Sequence, residues 1–141
     1  MIIKTLVMGS FQVNNYLVIC DKTKEAVLID AGGDYDMTIK AAEKEGAKIK
    51  YILNTHGHLD HIAGDYDLQT KAGVKVLLHK EDEFLVSMLK SQLAVYGMPE
   101  YETPKVDGYV EDNQEIKVGE MSFKVIHTPG HSPGGVCYLI D

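Results

Sequence analysis

Short apolar segments alternate along the chain with segments in which apolar residues recur every three or four positions. The segments IIKTLV, YLVI and AVLI are rich in β-branched residues and are separated by polar turns, which predicts three strands in a meander. The apolar residues Tyr35, Ile39 and Ala42 then share one helical face. Asp34 precedes them as a predicted N-cap and Gly46 provides a stop, so an amphipathic helix follows the meander.

The rest of the chain continues to mix strands with helices. Further strands are predicted for five short apolar segments, namely residues 50–53, VKVLLH, QEIKV, MSFKVI and GVCYLI. Helices are predicted over residues 59–73, where Gly64 weakens the helix or marks its true start, and over residues 84–96. Residues 97–113 lack periodicity and are predicted to form a loop, either a functional lid or a plain surface excursion. This order predicts the fold class α/β, or α+β by some schemes.

Composition and charge exclude several classes of protein. A length of 141 residues with 45% hydrophobic and 25% charged residues fits one soluble domain over residues 1–141. No apolar run is long enough to span a membrane, and the N-terminal residues lack the pattern of a signal peptide. We therefore expect a cytoplasmic protein without a membrane partner. The net charge of -7 argues against a nucleic-acid partner.

The basic residues and the cysteines narrow the chemistry further. All 14 basic residues are lysines, so no arginine is present for bidentate capture of a carboxylate or phosphate. An anionic substrate would depend on lysine, backbone amides or a metal. Cys20 and Cys137 lie far apart in apolar segments, which predicts two buried, reduced thiols and neither a disulfide nor a zinc site.

The segment THGHLDH holds three of the six histidines within six positions. Imidazole and carboxylate are the usual ligands of zinc and related metals. His56 and His58 are two positions apart at the end of a predicted strand, so their side chains can point to the same face. Asp60 and His61 follow at a turn into a helix, and four donors in six residues suggest two adjacent metals. The alternative is a polar helix start in which Asp60 is the cap and the histidines are solvated.

Two motifs resemble signatures of the metallo-β-lactamase superfamily. THGHLDH is similar to the H-x-H-x-D-H signature of that family, and HTPGHSPGG, at residues 127–135, is similar to a second signature found in glyoxalase II and related small hydrolases. Asp30, in VLIDAGG, also matches a family aspartate. The resemblance implies a metallo-β-lactamase-like αββα sandwich, of which this chain would form the N-terminal two-thirds.

The resemblance also implies a role for each matching residue. His56, His58 and His131 would bind the first metal, and Asp60 and His61 would bind the second. Asp30 would orient a metal ligand or the loop beneath it, although a turn-forming aspartate is the alternative. His79 and His127 match no ligand position, and we expect both to be structural.

The sequence departs from the family after the second signature. The family pattern continues to an aspartate that bridges both metals and to a further histidine, and neither occurs here; Asp141 matches a turn residue. The second metal would then bind weakly unless another chain or segment contributes. The uncovered sheet face predicts either a homo-oligomer or a sequence that represents part of a longer protein.

The resemblance implies a metal-dependent hydrolase of the glyoxalase II type. The metal would be zinc, as one or two ions, or else iron or manganese. A hydroxide bound to it would cleave a thioester, a lactone or a related ester or amide of a small-molecule substrate. Asp60 would be catalytic by positioning the nucleophile or accepting its proton. One alternative is a mononuclear iron enzyme similar to persulfide dioxygenases. Another is a non-catalytic domain that binds a metal or a partner, because the bridging aspartate and the last histidine are absent.

Overall fold

Two β-sheets form the centre of the molecule. The computed structural model describes residues 1–141, and its first sheet has six strands in the order β1 to β6. These strands are β1 (Ile2–Met8), β2 (Val13–Ile19), β3 (Glu25–Ile29), β4 (Lys48–Leu53), β5 (Lys75–His79) and β6 (Gly108–Val110). The pairs β1–β2 and β2–β3 are antiparallel, which confirms the predicted meander, and β3 to β6 pair in parallel.

The second sheet is smaller and entirely antiparallel. It consists of β7 (Glu115–Val118), β8 (Met121–His127) and β9 (Val136–Ile140), in that order. Its inner face packs on the first sheet, where Phe123 and Val125 lie in one core with Val27 and Leu53. The two sheets therefore form a sandwich whose apolar core is shared by both.

Helices cover the outer face of the six-stranded sheet and one end of the sandwich. They are α1 (Tyr35–Lys44), α2 (Leu59–Ile62), α3 (Asp65–Ala72), α4 (Glu83–Ser87) and α5 (Leu89–Val95), with a 3-10 turn at Lys80–Asp82. A second core, which includes Leu28, Ile52 and Leu68, lies on the outer face of the first sheet. The Asp34 side chain accepts a hydrogen bond from the Met37 amide at 3.1 Å, so the predicted N-cap of α1 is confirmed. None of the helices has both the length and the apolar character needed to cross a bilayer.

Both of the longer predicted helices are interrupted in the structure. The helix predicted over residues 59–73 is split into α2 and α3 at Gly64, whose amide donates to the Ala31 carbonyl at 2.7 Å. A Cβ at Gly64 would lie 2.9 Å from the Gly33 amide nitrogen, so this close approach requires glycine. The helix predicted over residues 84–96 is split into α4 and α5 at Met88, which leaves α-helical geometry.

Two further expectations are wrong. The loop predicted over residues 97–113 contains β6, which is only three residues long and is held by its pairing with β5. Cys137 is exposed, whereas Cys20 is buried as expected. The reason is that β9 is the edge strand of the second sheet, and only alternate residues of that strand face the core.

Candidate metal centre

Four histidines meet at one end of the sandwich. His56 and His58 lie in the segment after β4, His61 lies in α2, and His131 lies in the loop between β8 and β9. The ring centroid of His56 is 4.9 Å from that of His58, 4.1 Å from that of His61 and 4.9 Å from that of His131. The fold thus brings together two motifs that are more than sixty positions apart in the sequence.

His56, His58 and His131 form a cluster of converging donors. One ring nitrogen from each of them lies within 4.8 Å of the others. His58 Nδ1 is 3.1 Å from His131 Nε2, which is within hydrogen-bonding distance. Burial and the neighbouring His131 lower the pKa of His58. Lone pairs on neutral rings are what a transition metal requires.

The hydrogen bonds of His56 leave one of its nitrogens free to bind a cation. The Thr55 hydroxyl donates its only hydrogen to Asp30 Oδ2 at 2.7 Å, so it must accept from His56 Nδ1 at 2.9 Å. His56 Nε2 then carries a lone pair, and this buried atom has no hydrogen-bond partner. Burial and the nearby His61 lower the pKa of His56 to about 4, which keeps the ring neutral at pH 7. A buried lone pair without a partner is costly, and a metal would satisfy it.

His61 and Asp60 form a second pair of donors beside the first cluster. His61 Nδ1 is 2.8 Å from Asp30 Oδ2, and His61 Nε2 is 3.4 Å from Asp60 Oδ2. Burial alone would lower the pKa of His61, but the bonds and charges of Asp30 and Asp60 raise it to about 9. The hydrogen bond from His61 lowers the pKa of Asp60. A cation bound between His61 Nε2 and Asp60 would therefore have to displace a proton from His61.

Asp30 accepts hydrogen bonds from residues 55 and 61, next to and within the histidine motif. Its carboxylate accepts the Thr55 amide at 2.7 Å, the Thr55 hydroxyl and the His61 ring. Asp30 is 3% exposed and has a φ of 61°, a left-handed conformation that is costly for a residue with a side chain. These contacts are the ones that a residue orienting the two histidines would make, and Asp30 directly follows the last residue of β3.

A cleft of about 440 Å³ opens beside the histidines. Its polar lining includes His58, Asp60 and His131, and most of its other walls are apolar. A substrate group in this cleft would reach the donor cluster directly.

Comparison with known proteins identifies the family. A family model described as the metallo-beta-lactamase superfamily matches residues 8–141. The chain belongs to the metallo-β-lactamase superfamily. The hydroxyacylglutathione hydrolase GloC of Haemophilus influenzae is 33% identical to it over 144 residues, which cover 97% of this chain and 65% of GloC.

Solved structures of the superfamily share this architecture. The BLEG-1 B3 metallo-beta-lactamase is 31% identical, with a TM-score of 0.85 over 97% of this chain and 66% of its own. The di-iron-bound form of TTHA1623 is 28% identical, with a TM-score of 0.85 over 96% of this chain and 66% of its own. The predicted metallo-β-lactamase fold is confirmed, and this chain spans about two thirds of the length of these relatives.

Asp82 is a site residue that the sequence did not single out. This fully buried carboxylate accepts the Gly57 amide at 3.0 Å, the Ser132 hydroxyl at 2.7 Å and the Gly134 amide at 2.7 Å. It thereby joins the loop of His58 to the loop of His131 in this metallo-β-lactamase domain. The acidic run KEDE gives no signal that one of its members is buried.

His79, Glu81 and His127 form another group of close donors. His79 Nδ1 accepts the Glu81 amide at 3.1 Å, and His127 Nε2 donates to the Pro133 carbonyl at 2.9 Å. The two rings are stacked with centroids 4.2 Å apart and an interplanar angle of 10°. In-plane lone pairs of parallel rings point along parallel planes and not at one ion, and the structural role expected for both histidines stays a prediction.

Proposed function

We propose that this chain is the metal-binding part of a hydrolase that cleaves a thioester, lactone or related ester or amide of a small molecule. The observation that carries the proposal is the unpartnered, buried Nε2 of His56 beside His58 and His131. The fixed tautomer of His56, with its free Nε2 beside His58 and His131, suits a divalent metal of the zinc type.

In this proposal His56, His58 and His131 bind one cation, and Asp60 and His61 face a second position. A bound divalent cation lowers the pKa of water towards about 7 and polarises a carbonyl oxygen. Asp60 is ionised at neutral pH because its pKa is lowered, so its carboxylate can accept the proton of an attacking water. Asp30 keeps His61 in one orientation throughout.

The relatives support the choice of reaction. The name of GloC, a hydroxyacylglutathione hydrolase, describes the cleavage of a thioester. We propose that this chain acts on the same type of bond. Within residues 1–141 no arginine is present to bind the carboxylates of glutathione.

Metal analysis of the purified, untagged chain tests the proposal at its first step. We expect about one zinc per chain, and loss of that zinc in His56→Ala and His131→Ala. His79→Ala is the matched control, because His79 lies in the stacked pair outside the cluster, and it should keep its zinc. Iron in place of zinc, as in the di-iron-bound relative, would direct the next assay to oxygen consumption.

Hydrolysis of a panel of thioesters, lactones and phosphodiesters tests the second step. We expect turnover of thioesters or lactones by the zinc-loaded chain, and at least a hundredfold lower kcat in Asp60→Asn, which can no longer accept a proton. A chain that binds zinc but hydrolyses nothing in the panel would contradict the hydrolase and favour the non-catalytic metal-binding domain.

A further inference from the structure

The walls of the cleft beside the metal cluster are built from apolar side chains of four separate elements. They are Phe11 in the β1–β2 turn, Leu59 in α2, Leu85 in α4, and Val95 and Tyr96 at the end of α5. The rings of Phe11 and Tyr96 meet edge to face, with centroids 5.4 Å apart. These two rings are 45% and 60% exposed, so the apolar surface faces solvent at the mouth of the cleft.

The polar groups of the cleft are already in use. Gln92 is the only lining residue with an amide side chain, and its Oε1 accepts the Leu59 amide at 2.9 Å. Its Nε2 donates to the carbonyls of Leu85, at 2.8 Å, and Gly57, at 3.4 Å. The remaining polar groups are His58, His131 and Asp60 of the metal centre and the hydroxyl of the exposed Tyr96, and no lysine lines the cleft. Away from the metal ligands, an anionic group in this cleft would meet apolar walls and no cationic side chain.

We infer that the cleft binds an uncharged, apolar acyl or alkyl group attached to the scissile bond, and that Phe11 and Tyr96 determine this specificity. The inference rests on the proposed function, because it defines the substrate class of the same site. Apolar groups gain from leaving water on these walls, whereas a charged group that lies on the walls and does not reach the metal would lose its hydration without a partner. A volume of about 440 Å³ lies within the range of small-molecule sites.

Binding of non-hydrolysable thioethers tests the inference without requiring turnover. The probes are the S-ethyl, S-hexyl and S-(5-carboxypentyl) thioethers of N-acetylcysteamine, titrated into the zinc-loaded chain and the metal-free chain and followed by NMR. The S-hexyl probe should bind at least about tenfold more tightly than the S-ethyl probe, because its additional methylene groups leave water. In the metal-free chain the carboxylate probe should lose most of that gain, and the shifted signals should include Phe11 and Tyr96.

Alanine variants test whether the Phe11 and Tyr96 rings cause the preference for the S-hexyl probe. Phe11→Ala and Tyr96→Ala should each reduce the ratio of S-hexyl to S-ethyl affinity several-fold. Phe84→Ala is the matched control, since Phe84 is also an exposed aromatic residue, 49% accessible, but does not line the cleft. Its affinity ratio should equal that of the unaltered chain.

The outcomes separate this inference from the proposed function. Equal affinity of the metal-free chain for the S-ethyl and S-hexyl probes, or for the S-hexyl and carboxylate probes, overturns the apolar cleft whether or not the chain is an enzyme. A clear S-hexyl preference that depends on Phe11 and Tyr96 supports the cleft, even if the hydrolysis panel gives no turnover and the proposed hydrolase fails.

Discussion

Single hydrogen bonds decide which atom of His56 is available to a metal. The Thr55 hydroxyl lies between Asp30 and His56 and has one hydrogen. Because it donates this hydrogen to Asp30, it must accept one from His56, which fixes the His56 tautomer. A metal-binding histidine needs its second nitrogen held in this way, and loss of such a partner typically costs ten- to a hundredfold in affinity. Thr55 is therefore as much a part of the site as the histidines that the sequence reveals.

Substitution of Thr55 tests the role of this hydroxyl. Thr55→Val removes the hydroxyl with little change in size, so we expect a ten- to hundredfold loss of zinc affinity in a competition titration with a chromogenic chelator. Thr55→Ser keeps the hydroxyl and should retain the affinity of the unaltered chain. Equal zinc affinity for the valine and serine variants would show that the His56 tautomer is not set by Thr55.

At the scale of elements, the site depends on contacts between loops that belong to different sheets. The His58 segment follows β4 of the first sheet, and the His131 loop connects β8 and β9 of the second. Asp82, at the end of the 3-10 turn, accepts hydrogen bonds from both. A Cβ on Gly134 would lie 2.7 Å from the Asp82 amide nitrogen. The His131 loop can therefore approach Asp82 this closely only because residue 134 is glycine.

Substitution of Asp82 tests whether this carboxylate positions the two metal loops. Asp82→Asn replaces one acceptor oxygen with an NH2 group that faces the amides of Gly57 or Gly134. We expect zinc affinity to fall at least about tenfold, because the loops of His58 and His131 are no longer held together. Glu81→Gln, at an exposed position of the same turn, is the control and should bind zinc normally.

A structural and a positioning role of Asp82 predict different results. If Asp82 only stabilises the fold, Asp82→Asn will lower the free energy of unfolding while the folded fraction binds zinc with unchanged affinity. If it positions the loops, the folded variant will bind zinc more weakly, so the same zinc concentration will raise its free energy of unfolding by less than that of the unaltered chain, because binding to the folded state is linked to folding.

At the scale of the whole molecule, the stability of the chain depends on pH through a buried carboxyl. Asp65 is fully buried; its Oδ2 has no hydrogen-bond partner, and neither does Oδ1 of Asn54. Burial and the nearby Asp30 carboxylate raise the pKa of Asp65 well above its usual value. The folded state therefore binds a proton that the unfolded state releases above about pH 3.9, so this contribution to stability is lost as pH rises.

Replacement of Asp65 should remove this loss. Asp65→Asn is uncharged at every pH, so we expect the metal-free variant to be more stable than the unaltered chain at pH 8, by about 1 kcal/mol or more, and to lose this advantage near pH 4. Urea unfolding at both pH values measures the difference. Asp67→Asn, on the exposed side of the same helix, should show no such pH-dependent gain, and an equal Asp65→Asn effect at both pH values would contradict the argument.

The two sheets leave an apolar groove uncovered between β9 and the inner face of β1 and β2. The groove has a volume of about 400 Å³, and its lining includes Ile3, Tyr16, Val136, Tyr138 and Ile140. A sheet edge beside exposed apolar surface favours association with another strand. The predicted homo-oligomer, which would cover this face, stays a prediction.

Sedimentation velocity over a dilution series tests this association. We expect the unaltered chain to sediment as a concentration-dependent dimer, because a second copy removes the apolar groove from water. Ile3→Lys places a charge in the groove and should shift the equilibrium to monomer. Val95→Lys introduces the same charge at an exposed apolar position away from the groove and should leave the dimer intact. A monomer at every concentration of the unaltered chain would contradict the oligomer.

The sequence alone determined the structural features that depend on residues close together in the chain. The strands of the meander, helix α1 with its Asp34 cap, and the donors of THGHLDH follow from spacing and residue type, because these features involve residues close together in the chain. The family also followed from the two motifs and is confirmed by the match over residues 8–141.

Only the tertiary structure decided the features that arise between distant segments. The contact of His58 with His131, the burial of Asp82, the helix break at Gly64 and the exposure of Cys137 each depend on which surface lies opposite. The apolar walls of the cleft likewise come from four elements that are separate in sequence. Local pattern sets which residues can act, whereas the packing of sheets and loops sets which of them meet, which lose water, and which protons they hold.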